Sequence, residues 1–219
     1  HGTWRCVGAK IACAGACALM VGQLLLPSVA LAADWVNVGG TQYDAGTAAG
    51  DEAGTWSWNG ADDMKLNGYD GGSIGAKGNL TIGVTGTNTV TADALQSAIE
   101  VKDGNLAITG KGTLNATAEP QKSRSAVKVE YGSLAISGDV TLNATAGTDT
   151  IAVSGDGKTG GDVDIRGANV NVTATNKVPH TIGIHTRAGN ITINEGADVH
   201  VEAEANGGLN AVAVYAENI

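Results

Sequence analysis

Residues 104–118 read Gly-Asn-Leu-Ala-Ile-Thr-Gly-Lys-Gly-Thr-Leu-Asn-Ala-Thr-Ala, and the head of this stretch is a repeat. The pattern glycine-polar-apolar-x-isoleucine occurs as GNLTI from Gly78, GNLAI from Gly104, GSLAI from Gly132, GDVDI from Gly161 and GNITI from Gly189, at spacings of 26, 28, 29 and 28 residues. A fixed period of this length marks a repeat architecture in which each copy is one unit of a stack.

Two further alternating segments accompany each copy. The one before the glycine carries Ile74/Ala76, Ile99/Val101, Val127/Val129, Ile151/Val153, Ile182/Ile184 and Val212/Val214. The one after it carries Val90/Ala92, Leu114/Ala116, Leu142/Ala144, Val170/Val172 and Val199/Val201. Members of a pair are two residues apart, so each pair lies on one face of a β-strand.

Three short strands cannot bury their apolar faces alone. Six inward side chains supply roughly 1.5–3 kcal/mol each, against about 1–2 kcal/mol of backbone entropy for every residue ordered. Copies must therefore stack, which predicts an all-β fold: a right-handed parallel β-helix with three strands and about 28 residues per coil, five to six coils in all. Stacking makes columns of Leu80, Leu106, Leu134, Val163, Ile191 and of Ile82, Ile108, Ile136, Ile165, Ile193. A β-sandwich also suits short strands and glycine turns, but it does not require like residues every 28 positions. The glycine heading each copy is expected at a positive φ or where successive backbones crowd. The polar residue after it (Asn79, Asn105, Ser133, Asp162, Asn190) is expected to stack and to hydrogen-bond turn amides.

Residues 1–32 read as a secretory signal peptide. Arg5 and Lys10 precede an uncharged apolar run, Ile11 to Leu26, and Ala30-Leu31-Ala32 forms an Ala-x-Ala cleavage pattern. The run is short for a bilayer core about 30 Å thick, so no membrane insertion of the mature domain is expected. The protein is expected to be secreted or displayed at the cell surface. Cys6, Cys13 and Cys17 all fall in this leader, which leaves no disulfide or thiolate metal site in the mature chain. A chain that opens on His1 and stops in mid-pattern at Ile219 is expected to be part of a longer protein.

Lys and Arg number 13 against 22 Asp and Glu, a net −9; loss of Arg5 and Lys10 with the leader gives 11 − 22 = −11. This balance excludes nucleic acid as the expected partner and disfavours anionic membranes and polyuronates. Residues 33–72 hold Trp35, Trp56 and Trp58, and are expected to cap the coil of residues 73–219, whose end strands would otherwise lie open.

GTWSWNGADDMKLNGYDGGSI from Gly54 and GAKGNLTIGVTGTNTV from Gly75, followed by repeats of the GNLAITGKGTLNATA type, resemble bacterial cell-surface repeat proteins of the "carbohydrate-binding domain-containing" kind, within the pectin-lyase-like β-helix class. The resemblance covers roughly residues 54–219. It implies the β-helix and export, and carbohydrate as the class of ligand.

Enzymes of this fold carry paired carboxylates on adjacent coils of one sheet. The outward columns of the first strand are expected to read Gly75, Glu100, Lys128, Ala152, Gly183, Ala213 and Lys77, Lys102, Glu130, Ser154, His185, Tyr215, with no such pair. No catalytic residue, metal ligand or cofactor is expected. His185 and His200 fall on different strands and His180 in a turn, so all three are expected to be solvated. The loop Ser154–Asp162 matches neither a calcium loop nor a phosphate loop.

The expected function is therefore that of a non-catalytic, adhesin-like stalk or carbohydrate-binding module for an extracellular glycan or host-surface ligand. The alternative is a polysaccharide lyase or hydrolase with its active site outside these residues. Two groups are candidate sugar contacts. Asn115/Thr117, Asn143/Thr145 and Asn171/Thr173 form a face of amides and hydroxyls able to bind sugar hydroxyls or order water, or simply a soluble, well-stacked β face. Trp56, Trp58 and Tyr69 offer aromatic rings for a sugar face, or form the core of the cap.

Overall fold

The computed structural model describes residues 32–92, 96–119, 124–155, 161–176, 180–194, 196–205 and 210–217, and every regular element among them is a β-strand. The expected leader, Ala32 excepted, and most of the Ser154–Asp162 loop lie outside the described residues. Residues 31–219 make one compact unit.

The unit opens with a hairpin of β1 (Trp35–Val38) and β2 (Thr41–Asp44). Its two-residue turn, Gly39-Gly40, has φ of 58° and 88°, the conformation that matches the twist of paired strands and that only glycine adopts freely. β1 lies antiparallel on β7 (Ile74–Lys77). β3 (Ala49–Gly50) and β4 (Trp56–Trp58) run antiparallel into β5 (Asp63–Asn67). Pairing then turns parallel, β5 with β8 (Leu80–Thr85) and β6 (Asp70–Gly71) with β9 (Thr87–Thr91). The parallel coil thus begins at Asp63, inside the stretch that composition assigns to the cap.

Coils of three strands follow. They are β10 (Ile99–Lys102), β11 (Leu106–Gly110) and β12 (Thr113–Thr117); β13 (Val127–Glu130), β14 (Leu134–Gly138) and β15 (Thr141–Ala146); β16 (Asp149–Ser154), β17 (Val163–Arg166) and β18 (Asn169–Asn176). The last are β19 (His180–Arg187), β20 (Ile191–Asn194) and β21 (Asp198–Ala205), ahead of β22 (Asn210–Glu217). Equivalent strands stack in parallel, β7-β10-β13-β16-β19-β22 in the first sheet, β5-β8-β11-β14-β17-β20 in the second and β6-β9-β12-β15-β18-β21 in the third. The chain is a β-solenoid with about 28 residues per turn.

The interior columns form as the repeats require. Leu80, Leu106, Leu134, Val163 and Ile191 pair in sequence, as do Ile82, Ile108, Ile136, Ile165 and Ile193, and Leu80 to Ile165 of these are fully buried. The polar column beside the glycines is a ladder in which each side chain accepts from an amide one coil on. Asn105 N–H donates to Asn79 Oδ1 at 2.7 Å, Ser133 N–H to Asn105 Oδ1 at 2.8 Å, Asp162 N–H to Ser133 Oγ at 3.2 Å and Asn190 N–H to Asp162 Oδ1 at 2.8 Å. Both reasons for the glycines apply, at different copies. Gly78 and Gly161 have φ of 97° and 87°, while a Cβ on Gly104, Gly132 or Gly189 would strike the backbone of the glycine one coil below.

Two registers differ from the sequence pattern by two residues. Leu114 and Ala116 pair with Asn88 and Val90, not with Val90 and Ala92. Asn88 occupies an interior position because the cap above it needs partners: its Oδ1 accepts from Tyr69 N–H at 2.9 Å, and its Nδ2 donates to Thr85 O at 2.9 Å and Thr113 O at 3.3 Å. Asn88→Leu restores the apolar column yet is expected to destabilise the fold by about 2–3 kcal/mol, because it strands these buried backbone groups. A shift of the denaturation midpoint to lower urea at unchanged slope checks this; a stabilised variant would refute it.

The other departure is in the first sheet, where Ile151 pairs with Ile184 and Val153 with Thr186, while Ile182 pairs with Asp149. Thr186, fully buried opposite Val153, takes an interior place that an apolar count does not find. The outward columns accordingly read Gly75, Glu100, Lys128, Ala152, His185, Tyr215 and Lys77, Lys102, Glu130, Ser154, Arg187.

Candidate functional site

The aromatic candidates of the cap turn inward. Trp56 and Trp58 alternate with exposed Ser57 along β4 and are 7% and 1% exposed, and Tyr69 is 6% exposed. The Trp58 indole N–H donates to Ala61 O at 3.2 Å and the Tyr69 hydroxyl to Gly72 O at 2.9 Å. Tyr43 packs on Trp56 with ring centroids 5.3 Å apart. Burial, with Asp51 and Asp70 nearby, pushes the Tyr69 phenol above its ordinary pKa. These rings are core and present no face for a sugar to stack on.

The amide and hydroxyl candidates do come together. Asn115, Asn143 and Asn171 pair across β12, β15 and β18, as do Thr117, Thr145 and Thr173, and the array continues onto Thr89 and Thr91 of β9. The amides bond one another, Asn143 Nδ2 to Asn115 Oδ1 at 2.8 Å and Asn171 Nδ2 to Asn143 Oδ1 at 2.9 Å. This face is uncharged over β9, β12, β15 and β18, without any aromatic side chain. Each bonded amide has already committed donor or acceptor capacity to its neighbour.

A concave site lies elsewhere, on the outer face of the first sheet where the antiparallel hairpin meets the coil. It is a groove of about 400 Å³. Val36 and Val38 point into the core, so the alternation of β1 sends Trp35 and Asn37 outward. Gln42 of β2 stands opposite Asn37, and Gly75 of β7 lies beside it. A Cβ on Gly75 would stand 3.7 Å from Cβ of Asn37 and 3.8 Å from Cζ3 of Trp35. The missing side chain therefore keeps the floor open between the indole and the amide. Ser73 and Gln96 close one side, joined by a hydrogen bond of 2.6 Å.

Charged groups form the far wall. Glu100 Oε1 lies 3.4 Å from Lys128 Nζ and 3.6 Å from Lys102 Nζ, and Lys128 is also paired with Glu130. Partial burial alone would lower the Lys128 pKa, but Glu130 and Glu100 outweigh it and raise it, so the ammonium stays charged. Arg124 stands at the rim, half-buried.

No protein-family model, curated protein or solved structure matches the chain. The fold and this geometry carry the functional argument. Among the described residues no group of three or more His, Cys, Asp or Glu is placed to hold a metal ion, and no helix is long and apolar enough to cross a membrane. His180 begins β19 and does not lie in a turn. His185 is not solvated: its side chain is 14% exposed, with Nδ1 3.6 Å from Asp149 and the ring against Tyr215. His200 is exposed beside Glu202.

The sequence pattern placed Trp35 in the cap but did not single it out. Two signals point to it: the Trp-Val-Asn-Val alternation, and a glycine at the position where Glu100 and Lys128 follow in the next coils.

Proposed function

We propose that this chain is an exported, non-catalytic carbohydrate-binding β-solenoid and that the groove over Gly75 is its binding site. The observation that carries this reading is the Trp35 indole beside the amides of Asn37, Gln42 and Gln96 above a floor without a side chain. A pyranose offers an apolar ring face and a rim of hydroxyls, and an indole with nearby amides complements both. The same resources are absent from the Asn/Thr face, which lacks an aromatic, and from the cap rings, which are buried. The resemblance to cell-surface proteins of the carbohydrate-binding kind agrees with this choice of ligand.

Trp35→Ala is expected to weaken saccharide binding by about tenfold or more, as for a central aromatic contact. Isothermal titration against a panel of oligosaccharides, with the melting temperature as a control for folding, measures it. Undiminished binding by the folded variant would remove the groove from consideration. Glu100, engaged by Lys102 and Lys128, is the one carboxylate among the described residues that line the groove, without the second carboxylate that paired acid/base chemistry needs. Reducing-end and unsaturated-uronate assays are accordingly expected to show no turnover, and turnover lost on Glu100→Gln would overturn the non-catalytic reading.

A further inference from the structure

We infer that the groove takes a saccharide end bearing one negative charge, a terminal sugar with a single carboxylate or sulfate ester, and that Arg124 reads that charge. The inference rests on the groove being the saccharide site. Its basis is a local inversion of charge: in a chain of net −9 the groove is lined by Lys102, Arg124 and Lys128 against one carboxylate, Glu100.

These cations are not equivalent. Lys102 and Lys128 contact Glu100, and Lys128 also contacts Glu130, so the four groups neutralise one another. Among the described residues Arg124 has no ion-pair partner. A half-buried guanidinium with no counter-ion among those residues, and with its planar fork of donors, suits a carboxylate or sulfate better than any neutral group on a sugar.

The same arrangement limits the ligand to one charge at this site. A second anion along the groove would meet Glu100, whose cations are already engaged, and like charges at such range repel. The groove volume fits one or two sugar rings at the small end of ligand sites. A polyuronate chain, charged on every ring, does not match.

The test uses the full chain and four probes: lactose, lactose capped with sialic acid, lactose bearing a galactose sulfate, and tetragalacturonate. One of the singly charged probes is expected to bind on the order of tenfold tighter than lactose, and which one does so separates carboxylate from sulfate. Arg124→Gln should erase that preference in a variant whose melting temperature shows it folded, and added salt should shrink it. Gly75→Val should abolish binding of both, with the melting temperature as the control for folding; φ at Gly75 is not in the left-handed region and a Cβ there meets only ordinary contacts.

Equal affinity for lactose and both charged forms, or an Arg124→Gln variant that keeps the preference, would overturn the charge inference while the groove stands. Tetragalacturonate binding tightest would overturn the single charge. Binding of no probe, or binding untouched by Gly75→Val, would remove the groove itself and this inference with it.

Discussion

Ile136→Asp is expected to unfold the solenoid. Ile136 is fully buried, stacked between Ile108 and Ile165 in the middle of a column. A carboxylate there faces isoleucine side chains above and below, with no cation or donor positioned to accept it. It either ionises in an apolar interior or folds protonated at a raised pKa, and each route costs several kcal/mol before the lost packing is added. A total of about 5 kcal/mol or more is comparable to the stability of a whole domain. Because each coil is stacked on its neighbours, the damage is not confined to one strand.

The comparison is Asn143→Ala, on the outer face of β15. It removes one rung of the amide ladder, with bonds to Asn115 and Asn171, and should cost about 0.5–1.5 kcal/mol in a half-exposed setting. Urea denaturation followed by far-UV circular dichroism measures both. Similar losses at the two positions would show that Ile136 is not interior.

The contrast between these two residues also shows why the coil was legible in the sequence. A stack of like strands forces like side chains into one column, so Leu106/Leu134 or Asn115/Asn143 declare their neighbours by spacing alone. The Asn79-to-Asn190 ladder was legible for the same reason. Spacing fails where one coil must satisfy something that is not a coil. Asn88 is interior because the backbone of the cap, at Tyr69, needs an acceptor, and no repeat position announces that. Thr186 likewise hides an interior position from an apolar count, and the column of Ile184 is shifted by two residues.

The groove was less legible still. Trp35 reaches Gly75 through an antiparallel pairing with no repeat behind it, and Arg124 arrives from the corner ahead of β13. Only the folded chain joins those three positions. The surface charge shows the same limit, since a net of −9 argues against anionic ligands while the groove is lined by cations.

Trp58→Ala is expected to lower stability by about 3–5 kcal/mol, the range for loss of a buried large aromatic, without removing a sugar contact. Trp58 pairs with Met64 across β4 and β5, is 1% exposed and holds Ala61 O through its indole N–H. The same Ala61 carbonyl also accepts from Ala33 N–H at 3.0 Å, so the indole helps fix the point where the chain enters the fold. Truncation leaves a cavity beside Met64 and loosens the antiparallel strands that cover the first parallel coil. An uncovered strand edge is a template for pairing with another chain, so the variant should also aggregate at temperatures where the wild type remains dispersed. Below its lowered melting temperature the groove, built on β1, β7 and β10, is expected to bind saccharide as before. Thermal melts, light scattering and titration at low temperature separate these effects. An unchanged melting temperature with binding abolished would mean that Trp58 is a surface contact and that the cap takes its stability from elsewhere.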